Sequence, residues 1–110
     1  MARSVASLRQ RRKMLIQKIK RANYAILRGS VIERFKRCGN PACKCSEGKG
    51  HGPKYYLSVS KPGERPEMDY VPQALHRNVT DYLENFQALR QSLEELCEID
   101  RELVRLKEPL

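Results

Sequence analysis

The sequence predicts an α+β fold, mostly α, in which two long helices, paired as an antiparallel hairpin or in coiled-coil fashion, flank a small β-sheet of about three strands. Three observations predict it. Apolar residues recur at steps of three and four near both ends of the chain. The segments between them alternate with a period of two. Between Cys38 and His51, three cysteines and a histidine crowd into a stretch rich in Gly, Pro and Lys, which reads as a zinc-binding loop carried by the sheet.

A chain of 110 residues is read as a single domain, 1–110. It opens on a basic helix over 4–28, continues through a strand, the Cys/His loop and a β-hairpin over 29–71, and closes on a leucine-rich helix over 73–107. In the first helix, Val5, Leu8, Leu15, Ile19, Ala22 and Ile26 form a narrow stripe, with Arg12 standing in a slot that should be apolar. Arg9, Arg11, Lys13, Lys18, Lys20, Arg21 and Arg28 cover the rest, and no acid lies among them. Their counter-charges must therefore come from elsewhere in the molecule or from a ligand. Gly29 offers a stop after Arg28.

The stretch SVIERFKRC is β-branched and aromatic enough for a strand, and so is KYYLSVS. The turn KPGE then leads into RPEMDYV, so Tyr55 to Val71 reads as a hairpin, with Pro66 confining its strand to an edge or delaying its start. Pro72 suits the first turn of the last helix. That helix shows Leu75, Val79, Tyr82, Phe86, Leu89, Leu93, Leu96, Ile99, Leu103 and Leu106. Two successive three-residue steps around Leu96 look like a stammer, which would overwind a coiled coil there. Cys97 reads as a small buried hydrophobe and His76 as a solvated surface residue. Tyr55, Tyr56 and Tyr70 are read as core packing in the hairpin ahead of base stacking.

Net charge is +9, divided unevenly: residues 1–54 carry +13 and residues 55–110 carry −4. Such a basic half attracts polyanions, chiefly nucleic acid. No apolar run approaches the roughly 20 residues of a membrane span, so the expectation is a cytoplasmic protein with no membrane partner.

The cysteine segment has the spacing Cys38-x4-Cys43-x-Cys45-x5-His51. Three thiolates and an imidazole match tetrahedral Zn²⁺ in number and kind, and Lys36, Arg37, Lys44, Lys49 and Lys54 would offset the thiolate charge. The spacing is not the common C-x2-C knuckle, and three alternatives stand beside zinc: disulfides, a reactive Cys–His pair, and unliganded cysteines.

The run GSVIERFKRCGNPACKCSEGKGHGPKYYLS, followed by YVP and a Leu-rich helix, resembles a family of small bacterial and archaeal proteins with an uncharacterised domain. The likeness spans roughly Gly29 to Leu106, and it implies association with transposases and other mobile elements. This chain departs from the pattern at Lys54, where an aromatic is usual, and at Glu64, Glu67 and Asp69, which make its hairpin acidic.

Together these readings predict a non-enzymatic nucleic-acid-binding protein, for DNA ahead of RNA, with structural Zn²⁺ on Cys38, Cys43, Cys45 and His51. The predicted cationic surface comprises Arg34, Lys36, Arg37, Lys44, Lys49 and Lys54, continued on the first helix by Arg11, Arg12, Lys18 and Arg21. The alternative is a coiled-coil oligomerisation or adaptor protein that forms a homodimer or docks on a transposase- or recombinase-like partner.

Overall fold

The computed structural model describes residues 3–36, 42 and 51–110. In chain order its elements are helix α1 (Val5–Lys20), strands β1 (Ser30–Lys36), β2 (His51–Val59) and β3 (Glu67–Val71), a 3-10 turn (Gln73–Leu75) and helix α2 (His76–Arg105). They fall into two compact units. One holds residues up to Ala25 together with Glu84–Leu110, and the other holds Ile26–Leu83.

In the helical unit, Ser4 caps α1 by accepting the Ser7 N–H at 3.1 Å. Leu8 and Leu15 of α1 are buried with Ile99 and Leu103 of α2, and Val5 and Leu96 pack against that cluster. Ion pairs joining Arg9 to Glu108, Arg12 to Asp100 and Arg11 to Glu95 show that the two helices run antiparallel here. Arg12 thus occupies its apolar slot because Asp100 meets it there. The α2 seam is formed by Asn85, Leu89, Ser92, Leu96, Ile99 and Leu103, a regular alternation of four- and three-residue steps without a stammer. Ser92 takes the slot expected of Leu93: it is 5% exposed against 46% for Leu93, and its hydroxyl donates to the Ala88 carbonyl of its own helix. At the far end Lys107 adopts φ 63°, with Glu108 N–H donating to Leu103 O and Lys107 N–H to Val104 O. These two bonds make a Schellman closure, with lysine where glycine is usual.

In the other unit the sheet order is β1-β2-β3, antiparallel throughout. Val31 pairs with Leu57, Glu33 with Tyr55, and Tyr55 with Val71, so these residues share one face, on which Leu57 and Val71 are buried. His76, at the start of α2, stacks on Tyr55 with ring centroids 3.9 Å apart. It is a packed residue, not the solvated one its position suggested. β3 begins directly after Pro66, on the sheet edge. Gly29 precedes β1 at φ 135°, where an added Cβ would stand 2.5 Å from the Ser58 carbonyl oxygen. Close approach to β2, and not the end of a helix, is what requires glycine here.

The expected fold class needs correcting on three points. The first helix is 16 residues long and stops at Lys20 instead of Arg28. Its last turn tightens through Ala22 N–H to Ile19 O, and beyond it Ala25 O accepts from Asn85 Nδ2 while Leu27 N–H donates to Tyr82 O. Backbone groups that a longer helix would have satisfied internally find partners on α2 instead. Second, the two helices are of unequal length, 16 and 30 residues. Third, a zinc-binding loop is not among the described elements: Cys38, Cys43 and Cys45 lie outside the described residues, and His51 is the first residue of β2, in register with Lys36. The fold is α+β, two helices and a three-stranded antiparallel sheet. Among the described residues no helix is long and apolar enough to cross a membrane.

Candidate nucleic-acid interface

The cations of α1 divide into two sets. Three of them are neutralised, two from α2 and one from the residues that follow it. Arg11 donates to both Glu95 carboxylate oxygens, at 2.5 and 2.8 Å; Arg12 donates to Asp100 at 2.7 Å; Arg9 reaches Glu108 at 3.4 Å and the Pro109 carbonyl at 2.8 Å. The hydrogen bond from Arg11 holds the Glu95 carboxyl below its ordinary range, helped by the fields of Arg11, Arg3 and Lys18, and the same bond raises Arg11. Other α2 acids are taken within their own helix, in the pairs Arg90–Glu94, Arg101–Glu98 and Arg105–Glu102.

The second set is Lys13, Lys18, Lys20 and Arg21, for which no ion pair forms among the described residues. Lys13 and Lys20 line a shallow concavity of about 330 Å³ with Arg9, Arg12, Ile16 and Gln17. Lys18 and Arg21 line another of about 400 Å³ with Met14, Gln17 and Tyr24. Both are open grooves on the polar side of α1, edged by flexible cations with apolar stems, a form suited to phosphates.

The sheet presents a further cationic surface. Strand alternation puts Ile32, Arg34, Lys54, Tyr56, Met68 and Tyr70 on one face, since Arg34 pairs with Lys54, Ile32 with Tyr56, and Tyr56 with Tyr70. Glu33, Glu67 and Asp69 project from the opposite face. The strand acids Glu67 and Asp69 are therefore segregated from the basic and aromatic side chains of the hairpin. The Arg34 guanidinium lies 5.7 Å from the Tyr56 ring centroid, and a concavity of about 430 Å³ is lined by Arg34, Phe35, Lys54 and Tyr56.

Of the residues the sequence nominated, Lys18 and Arg21 are exposed and form no ion pair among the described residues, Arg34 and Lys54 face each other across β1 and β2, and Arg11 and Arg12 are engaged with acids of α2. Arg37, Lys44 and Lys49, like Cys38, Cys43 and Cys45, lie outside the described residues. The backbone of Lys36 pairs with that of His51, so the ladder brings together the two ends of the segment that carries the cysteines. Among the described residues no group of three His, Cys, Asp or Glu side chains could hold a metal. Lys13, Lys20, Tyr56 and Tyr70 were missing from the nominated surface. Strand alternation could have supplied the tyrosines, whereas the two lysines needed knowledge of which cations α2 neutralises.

Residues 5–81 match the family described as Domain of unknown function (DUF6788). The chain belongs to that family. The matched region holds α1, the whole sheet and the first residues of α2, so both cationic surfaces fall inside the DUF6788 domain. The acids that neutralise Arg9, Arg11 and Arg12 lie beyond it. The match begins further toward the N-terminus than the resemblance over Gly29–Leu106 implied. No curated protein and no solved structure matches the chain significantly.

Proposed function

We propose that this DUF6788 protein is a non-enzymatic nucleic-acid-binding protein, acting on DNA in the cytoplasm as an accessory of a mobile genetic element. The observation that carries the reading is the set Lys13, Lys18, Lys20 and Arg21, which finds no ion pair among the described residues although α2 supplies acids to Arg11 and Arg12, and Glu108 just beyond it pairs with Arg9. Four like charges on and just past one helix repel one another, and a polyphosphate strand relieves that repulsion when these cations replace its condensed counterions. Zn²⁺ on Cys38, Cys43, Cys45 and His51 is part of the same proposal. The donor chemistry suits the ion, and the metal would have a structural role, fixing the segment that carries Lys44 and Lys49.

Anisotropy of a labelled duplex, measured over a series of salt concentrations, tests the proposal. With about six phosphates engaged, log K falls against log salt with a slope near −5. Lys13→Gln and Lys18→Gln each lower that slope by about one. No binding at low salt, or a slope near zero, removes the reading.

A second reading rests on a separate observation. Leu93, Cys97 and Val104 are exposed along one stripe of α2, next to the seam that faces α1. Such a stripe favours self-association or docking on a transposase- or recombinase-like protein. Sedimentation discriminates, since a compact monomer at high concentration excludes the homodimer and a dimer indifferent to DNA favours the adaptor.

A further inference from the structure

The two faces of the sheet differ in a way that phosphate binding alone does not use. On one face Leu57 and Val71 are buried, His76 stacks on Tyr55, and the exposed positions include Glu33, Glu67 and Asp69. The other carries Arg34, Lys54, Met68 and Tyr70 as exposed side chains, with Ile32 and Tyr56 half-buried beneath them, and the strand register places no acid there. Tyr70 is 58% exposed, a large aromatic surface left in water on an edge strand. Its ring meets that of Tyr56 edge-on, with centroids 5.8 Å apart and planes inclined at 66°.

We infer that this face is a stacking platform for unpaired bases, which gives the protein a preference for single-stranded over duplex nucleic acid. The inference rests on the nucleic-acid reading above and adds to it the form of the ligand. The chemistry is that of a π-face beside fixed cations. A base laid on Tyr70 removes apolar ring surface from water, while Arg34 and Lys54 meet the phosphates on either side. Arg34 already lies over the Tyr56 ring, where its planar guanidinium can itself take a base. Because the two tyrosine planes are inclined at 66°, successive bases on them would be splayed apart. A flexible single strand tolerates that geometry. A duplex must first unpair and unstack, which costs free energy at every step. The charge pattern suits a polyanionic occupant with flat apolar rings: the exposed groups are two cations, a tyrosine and a methionine, with the carboxylates of Glu33, Glu67 and Asp69 turned to the other side.

The test compares an unstructured oligothymidylate of about 15 nucleotides, its uridylate equivalent and a duplex of the same length, each titrated with the full chain at one low salt concentration. Wild-type protein is expected to bind the single strands more tightly than the duplex. Tyr70→Ala is expected to weaken single-strand binding by about 5- to 150-fold, the equivalent of one lost base stack, and to change duplex binding by less than about twofold. Tyr70→Phe, which keeps the ring, should retain the single-strand affinity. Because Tyr70 is exposed, circular dichroism of Tyr70→Ala should match wild type. Equal losses on both ligands, or unchanged single-strand affinity, would overturn the stacking platform while leaving the phosphate-binding α1 standing. Failure of the wild-type chain to bind any of the three would bring down both readings.

Discussion

Arg12 and Asp100 pair inside the stripe that holds the two helices together, and breaking that pair gives a measurable quantity. The bond is 2.7 Å long, and the side chains are 30% and 25% exposed, so the pair is neither a surface ion pair nor a fully buried one. Exposed pairs contribute about 0.2–1 kcal/mol, and removing one partner of a fully buried pair costs about 3–5 kcal/mol. Partial burial places the coupling here at about 1–2 kcal/mol. For a chain of 110 residues the entropy of unfolding makes 1 kcal/mol equivalent to about 4 °C in Tm. Arg12→Met keeps the apolar stem in the stripe and deletes the charge, while Asp100→Ala deletes its partner. Each is expected to lower Tm by about 4–8 °C, and the double variant to lose less than the two together by the coupling energy. Urea is the denaturant to use, because guanidinium would screen the pair being measured. A coupling within about 0.3 kcal/mol of zero would refute the assignment of Arg12 to the helix interface. Binding gives a second readout: with Asp100 gone, Arg12 is free for phosphate and the salt slope of duplex binding should steepen by about 0.9.

Leu103→Ala empties part of the four-residue core and should cost about 2–5 kcal/mol, a large fraction of the stability available to one domain; a change under 1 kcal/mol by urea titration would mean that this core does not hold the helices. The depressed Glu95 carboxyl sets a pH dependence. Its contribution is fully present above the ordinary carboxylate value of about 4.3 and is lost as pH falls through the lower folded value, so wild type should lose more stability than Glu95→Gln between neutral and strongly acidic pH. Parallel acid profiles would eliminate that pair as a contributor. Lys107 closes α2 at positive φ, and Lys107→Gly should therefore stabilise the chain by about 0.5 kcal/mol, read as a small rise in Tm; a fall would show that the lysine makes a contact worth more than the strain. Elemental analysis of freshly purified protein should find one zinc per chain, lost in Cys43→Ser, and its absence would end the metal proposal.

How much of this was legible beforehand depends on the kind of information each feature needs. The alternation of KYYLSVS and the break at Pro66 are local, and β2 and β3 lie over those residues. The seam of α2 was legible as a period but misassigned by one position, because hydropathy favours Leu93 over Ser92 while the regular spacing of Asn85, Leu89, Leu96, Ile99 and Leu103 favours Ser92. The serine is admitted because its hydroxyl is satisfied within its own turn, which hydropathy does not register. The same preference for apolar character made Cys97 a buried residue, whereas it is exposed. The end of α1 was illegible for a different reason. Ala22 and Ile26 keep the helical period, and only the tertiary acceptors and donors of Asn85 and Tyr82 draw the following backbone away.

For the candidate surfaces the limit lies in pairing. A sequence shows that α1 carries cations and no acids; it cannot show which cations are consumed within the fold. Arg11 and Arg12 looked equivalent to Lys18 and Arg21, yet α2 neutralises the first two and leaves the others facing solvent. The division has a physical basis. Arginine's planar fork suits the bidentate pairing at Glu95, whereas three of the four unpaired cations are lysines, compact charges on flexible stems. On the sheet the separation is made by the pleat, since a period of two sends Glu33, Glu67 and Asp69 to the face opposite Arg34 and Lys54 however acidic the hairpin is in total. Net charge by segment thus misjudges this hairpin, and charge by face is the quantity a polyanion would meet. Moving one carboxylate across the pleat, as in Met68→Glu, should therefore weaken single-strand binding far more than a second acid added beside Asp69 on its own face, although both changes alter net charge equally.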